Sequence, residues 1–551
     1  MINARSERLL WVAIVSVVLT PLIISLGHGI TDVLRSPVIW HESDNAGIEI
    51  NTISACRGHQ LLGVGSRFEW NHPGPIYFYL MAPIYVLAGK NASALSLAAT
   101  IIALVFVIAT LIAARRGTEW SSGTLAYCVG ILLAVYLWTI PVDSIWNPHV
   151  LYVPFVLFLL LCGLLSIGRT WVLPGIVFVG SFLIQTHLGT APCVMALAMI
   201  SLTTCFSKGL RSRLGFTTIT QGSSKIWLFV SLIILALAWF PPIMEELTHS
   251  PGNLTKLFHF FARRQDHHRL LEAFTSFSIQ FSWLGLLFPD HAGSGMSRRW
   301  LEVISVVVAV FQLISLILVY RINVSKGQYF NASIAAITGI GSLFAVLSIV
   351  TIKGPIYGYL VGWMSGLGLT AYAVILSAVI DGLIRHARVF RRDMDWQRIA
   401  TSAGIFLILG SIAVTLWGLS DLPGRMVGEF APRCSSAEER RVKELSECLL
   451  SYLDAEKISR PLIRWDHNRW PTAIGVILQL AKSNKPFGQE GLFGDDYAVN
   501  GKQDAVIVIK GHVETVKSGY KLICSHAMPL NPKHDEFYGD TFIYRFDTTK
   551  K

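Results

Sequence analysis

The residues best suited to chemistry crowd into one stretch, Trp40 to Pro83, which reads WHESDNAGIEINTISACRG and then, after a short gap, SRFEWNHPGPIYFYLMAP. Glu42, Asp44 and Glu49 are its carboxylates nearest the preceding apolar run. A carboxylate at a membrane surface loses hydration, which raises its pKa toward the range useful to a general base. Such a base could take the proton of an acceptor hydroxyl as that oxygen attacks a sugar carbon. The alternative for any one of the three is a solvated loop residue or a helix cap. Arg67, Glu69, Trp70, Asn71 and His72 follow, in front of Pro73 and Pro75. The prolines fix the backbone and end regular structure, which would hold His72 in one place. Trp70, an aromatic face beside polar groups, suits the apolar face of a pyranose. A turn at the membrane interface carrying a belt tryptophan has the same composition.

Three further polar groups fall at the ends of apolar runs: Asp143, Trp146, Asn147 and His149 in PVDSIWNPH; Gln185, Thr186 and His187 in QTH; and Lys353, Tyr357 and Tyr359 in IKGPIYGYL. One such residue is usually snorkelling or capping. Several from distant sequence, all at the same predicted membrane face, point to a cavity open to that side. FARRQDHHR, with Arg263 and Arg264, places cationic charge on the face that the positive-inside rule leaves poor in it. Arg263, Arg264 and Lys353 are therefore candidates to hold a lipid phosphate. Contact with anionic headgroups alone would explain the arginines equally well.

The elements that must position these groups are membrane spans. Hydrophobic residues make up 52% of the chain, only 15% is charged, and mean hydropathy is +0.52, which excludes an ordinary soluble globule. Runs long enough to cross a bilayer occur at 8–27, 93–114, 121–140, 147–168, 171–187, 189–207, 225–243, 301–321, 332–352, 356–384 and 399–418, eleven in all. The first follows Arg5 and Arg8 and reads as an uncleaved signal anchor. With the N-terminus in the cytoplasm, the inner loops receive Arg115–Arg116, Arg169, the Lys208/Arg211/Arg213 cluster, Arg321/Lys326 and the run from Arg385 to Arg398. The +11 net charge is largely this bias and does not point to nucleic acid.

An odd number of spans puts the tail outside. The expected domains are 1–418, a transmembrane catalytic domain with outer loops at 28–92 and 244–300, and 419–551, a water-soluble α/β domain. Gly74 to Gly89 and Leu270 to Phe288 are expected to be helices lying in the outer interface. In the tail, Ala437–Leu453 and Trp470–Lys482 read as helices, and Pro461–Trp465, Ala505–Ile509, Lys521–Cys524 and Thr541–Phe546 as strands. Cys128, Cys162, Cys193 and Cys205 lie in spans as packing residues. Cys56, Cys434, Cys448 and Cys524 fall outside, where disulfides are allowed, and Cys434 with Cys448 is a candidate pair.

An acidic motif after the first span, a WNHPGP motif about thirty residues on, many spans and an outer tail together resemble the GT-C superfamily of membrane glycosyltransferases. The likeness is to the protein mannosyltransferase and aminoarabinose transferase branch and to bacterial relatives with a WNHPGP-type motif, and it is most specific over residues 40–90. It implies a polyprenyl-phosphate sugar as co-substrate, transfer outside the cytoplasmic membrane with inversion, and a first-loop acid as base; a sugar on a monophosphate has no diphosphate for a metal to hold, so no metal is expected. Here that acid is Asp44, with Glu49 second and Glu42 an alternative. Glu42-Ser-Asp44 replaces the branch's adjacent Asp-Glu, and HPGP replaces HPP. Implied partners are the lipid-linked donor, membrane lipids and a glycan, lipid or protein acceptor. A secondary transporter fits the number of spans, but the polar groups gather at one face instead of mid-depth. A non-catalytic assembly or lipid-binding protein is the other alternative.

Overall fold

The structure is a computed structural model that describes residues 4–35, 39–66, 68, 70–118, 124–216, 224–263, 267–287, 298–390, 396–420, 436–489, 503–511, 520–526 and 540–546. Among the described residues, nine helices are long and apolar enough to cross a membrane: Ala4–Arg35, Ser93–Gly117, His149–Ser166, Leu188–Phe206, Ser224–Thr248, Arg298–Ser325, Tyr329–Val350, Gly358–His386 and Ala400–Leu419. The other two expected spans are also helical but shorter, at Thr124–Thr139 and Thr170–Thr186. The first helix outruns its apolar stretch at both ends and carries Pro21 inside it.

Why these segments need lipid is visible in their faces. Phe229, Leu237 and Phe240 on one helix, and Phe311, Ile314 and Leu318 on another, are exposed in rows that water would not tolerate. His149–Ser166 is the opposite case: every residue from Tyr152 to Ser166 is buried, so this helix sits inside the bundle. The chain is an α-helical, multi-pass membrane protein with a small C-terminal sheet domain.

The chain forms two compact units that cut across the linear boundary expected at 419. A bundle unit comprises Met1–His28, Ala99–Phe240 and Phe258–Phe430. A loop-and-tail unit comprises Gly29–Ala98, Pro241–Leu257 and Ala431–Lys551, so the acidic first loop and the tail belong to one body. The two segments expected as interfacial helices are helical, at Ile76–Leu87 and Leu270–Phe281, with a further short turn at Leu284–Leu287.

In the loop-and-tail unit, β1 (Pro461–Trp465), β2 (Gly488–Gln489), β3 (Ala505–Lys510), β4 (Tyr520–His526) and β5 (Thr541–Phe546) form one sheet in the order β2-β1-β3-β5-β4. β2, β1 and β3 run parallel, while β5 is antiparallel to both β3 and β4. Each alternating segment expected as a strand is one; two-residue β2 is too short to carry a pattern. Ile463, Ile507, Ile509 and Ile543 fill the core, with the Trp470–Lys482 helix buried from Pro471 to Leu478. The helix expected at Ala437–Leu453 runs Ser436–Ala455.

Cys448 pairs with Cys524, tying that helix to β4 across 76 residues of sequence. This corrects the expected Cys434–Cys448 pair: the bond follows the packing of the helix on the sheet instead of closeness in sequence. Cys434 lies outside the described residues.

Candidate functional site

Asp44 and Glu49 lie in one helix, Ser43–Cys56, and Glu42 stands at its N-cap, and the three carboxylates meet different environments. Its residues from Ala46 to Ala55 are all buried. Glu49 is completely buried and is met by three groups: Lys482 Nζ at 2.6 Å, His41 Nδ1 at 2.7 Å, and the Tyr85 hydroxyl, which donates at 2.9 Å. Burial alone pushes its carboxyl upward, as the sequence argument anticipated. The His41 hydrogen bond and charge and the Lys482 ammonium together outweigh burial and bring it down to about 2. Glu49 is thus an ionised, fully engaged carboxylate, not one poised near neutral pH.

Glu42 stands at the N-cap of the same helix, but its side chain makes no cap hydrogen bond. It is buried and accepts from Arg441 Nη2 at 2.8 Å, and Arg441 is itself fully buried. Asp44, in the first helical turn, is only half-buried. At 100° per residue it stands about 140° around the helix from Glu49. Between Glu42 and Asp44, Ser43 has φ +51°, a left-handed conformation that residues other than glycine rarely adopt and that clusters at functional sites.

The HPGP segment closes a small hairpin. Gly63 N–H donates to His72 O and His72 N–H to Val64 O, both at 2.9 Å, and Ser66 N–H donates to Trp70 O at 2.8 Å. Pro73 and Pro75 then end the hairpin and lead into Ile76–Leu87. Asn71 is held from outside the hairpin by a reciprocal pair: Asn253 Oδ1 accepts from its backbone N–H at 2.8 Å, and Asn253 Nδ2 donates to its carbonyl at 2.9 Å. Asn253 is fixed in turn by Glu245, which accepts its N–H at 2.8 Å. Trp70 is buried, with Phe68 stacked at 6.3 Å and His72 edge-on at 5.6 Å. Its ring is therefore packed within the protein, while His72 is half-buried. Arg67 and Glu69 lie outside the described residues.

The bundle unit gathers the other expected groups. Lys353 Nζ lies 3.3 Å from the Phe260 ring centroid, and partial desolvation followed by the Arg263 charge lowers its pKa. His268 binds this loop twice, its N–H donating to Val350 O at 3.2 Å and its Nε2 contacting Gly354 O at 2.8 Å. FARRQDHHR and IKGPIYGYL, 86 residues apart at that bond, thus meet. Arg264 lies outside the described residues. Asn147 Nδ2 donates to Thr186 O at 3.0 Å, joining PVDSIWNPH to QTH. Trp146 contacts Tyr359 at 5.2 Å and His149 at 4.9 Å, and Tyr357 stacks on Tyr359 at 5.7 Å. His149 Nδ1 is 2.8 Å from Ser144 Oγ, and His187 is buried. Within this unit these contacts link the four segments to one another, with Tyr357 exposed.

No family model matches the chain, and no curated protein does. Among solved structures, the chain is similar to ArnT from Cupriavidus metallidurans, crystallised bound to undecaprenyl phosphate and in the apo state. The similarity covers 98% of this chain and 98% of each ArnT chain, at 12% and 13% identity and a TM-score of 0.48 in both cases.

Sequence reasoning missed Arg441, Lys482, His41, Tyr85, Glu245 and Asn253. Asn253 opens a sequon, Asn-Leu-Thr, and its 1% exposure shows that its amide serves the hairpin instead. The tail residues gave no local signal: Lys482 is an ordinary basic residue in the last turn of a helix.

Proposed function

We propose that this chain is an inverting glycosyltransferase that moves a pentosyl or hexosyl group from a polyprenyl-phosphate donor to a hydroxyl of a glycan, lipid or protein. The observation that carries the reading is the division of labour among the first-loop acids. Glu42 and Glu49 are committed to buried ion pairs, while Asp44 is half-exposed on another side of the same helix. Asp44 is then the base. It takes the acceptor hydroxyl proton as the oxygen attacks the anomeric carbon from the face opposite the phosphate. The bond from that carbon to the phosphate oxygen breaks, the electron pair leaves with the polyprenyl phosphate, and configuration inverts.

A phosphate leaving group needs charge neutralisation more than a proton, so one carboxylate suffices where water-using glycosidases need two. Lys353 and Arg263 are assigned the lipid phosphate, each as a cation in a loop between spans. His72, fixed by the hairpin and by Asn253, is assigned to sugar or acceptor, with Asn147, His149, His187 and Tyr357 as further polar and aromatic contacts. A monophosphate-linked sugar has no diphosphate for a metal to bridge, so the reaction is assigned no metal. The positive-inside bias supports transfer on the outer face of the cytoplasmic membrane, with the N-terminus inside and the tail outside.

The test is a comparison of lipid-linked sugars and envelope glycans in cells carrying the wild type or Asp44→Asn. One polyprenyl-phosphate sugar should accumulate in the variant and one glycan decoration should disappear. Normal glycans at normal protein levels would remove Asp44 as the base. Donor consumption in washed membranes should be unaffected by EDTA.

A further inference from the structure

Both acids that flank Asp44 along the chain are bonded to the C-terminal tail. Glu42 meets Arg441 in the Ser436–Ala455 helix, and Glu49 meets Lys482 at the end of the Trp470–Lys482 helix. A third contact is steric. A Cβ at Gly475 would lie 2.9 Å from the His41 carbonyl oxygen and 2.8 Å from Val442, so the tail helix approaches the backbone before Glu42 as closely as glycine permits. The backbone held between these contacts includes Ser43 in its left-handed conformation. Buried ion pairs are poor stabilisers compared with apolar packing of the same volume. What two of them on one short helix do supply is a fixed register and rotation.

We infer that the C-terminal domain is a positioning device for the base: Arg441 and Lys482 clamp Glu42 and Glu49 so that Asp44 is presented at a set angle and depth. The inference rests on the assignment of Asp44 as the base. It makes Arg441 and Lys482 positioning residues, and it gives the tail a part in the reaction even if it never touches donor or acceptor.

The test removes one clamp without leaving a lone buried charge, using Glu42→Gln/Arg441→Met in the full chain. Three quantities are read: thermal stability in detergent, consumption of the cell's own polyprenyl-phosphate sugar, and the rate at which Asp44 is modified by carbodiimide plus glycine ethyl ester, followed by peptide mass spectrometry across pH. The double variant should fold, lose on the order of 100-fold in donor consumption, as a misplacement of about 1 Å would cause, and show a changed pH profile of Asp44 modification. A folded double variant with wild-type consumption and wild-type modification would overturn the inference. If the double variant does not reach the membrane, Arg441→Lys, which keeps the charge and loses the planar fork, decides on the same readouts. Asp44→Asn separates the two claims. Normal consumption in that variant defeats the base assignment, whereas loss in Asp44→Asn with none in the folded clamp variant defeats only the positioning role.

Discussion

Replacing Glu49 by glutamine should erase a specific part of the protein's acid sensitivity. Glu49 falls from an ordinary 4.5 to about 2 in the folded chain. At about 1.4 kcal/mol for each pH step, that gap corresponds to about 3 kcal/mol of folded-state stability. Because the folded pKa is the lower one, the contribution is complete above 4.5 and is lost as pH falls toward 2. The groups facing the carboxylate are His41, Lys482 and Tyr85. The difference between the two proteins is therefore the quantity to follow. Thermal unfolding in detergent, recorded from pH 7 down to pH 2, should show wild type above Glu49→Gln by roughly 6–12 °C at neutral pH, for a compact unit of about 200 residues. The two curves should converge as pH approaches 2. Parallel curves across the whole range would refute the reasoning, because they would mean that Glu49 is not held ionised by its partners.

Asn253→Ala removes both hydrogen bonds that hold Asn71 and should cost about 1–3 kcal/mol, with the larger effect on sugar transfer if His72 positions substrate; unfolding and donor-consumption assays read the two separately. The same burial predicts that Asn253 stays unmodified when the chain is made in a eukaryotic secretory pathway, so glycosidase treatment should release no sugar from its peptide. Non-reducing peptide mapping should recover Cys448 linked to Cys524, and reduction should destabilise the tail by up to about 4 kcal/mol for a loop of this length; a Cys434–Cys448 peptide would contradict the packing of helix on sheet. Lys353→Gln should weaken binding of a polyprenyl phosphate about tenfold or more, the loss of one charge-assisted contact. Lys353→Arg should retain most of it, and equal binding by all three proteins would take the lipid phosphate away from this loop.

Much of the fold was legible because its signals are local. Apolar length marks the spans, and the alternation in AVIVIK and TFIYRF marks β3 and β5. The division into units was not legible, because hydropathy reads composition, whereas Arg441 finds Glu42 across 399 residues. Glu49 shows the limit in part. Desolvation is the largest single influence on it, but His41, eight residues before it, and Lys482, in the tail, together reverse the sign, and the second of these could not be read from the stretch itself.

One part of the answer was nevertheless written in the spacing. Asp44 and Glu49 are five residues apart and so stand about 140° from each other around the helix, while Glu42 precedes it as the N-cap. An acid on the buried side of such a helix needs a cationic neighbourhood, and a nearby element must supply it. Period, rather than proximity to the membrane, is what distinguishes a structural carboxylate from a candidate base in this loop. The left-handed φ of Ser43, between Glu42 and Asp44, further changes the direction in which Asp44 leaves the chain.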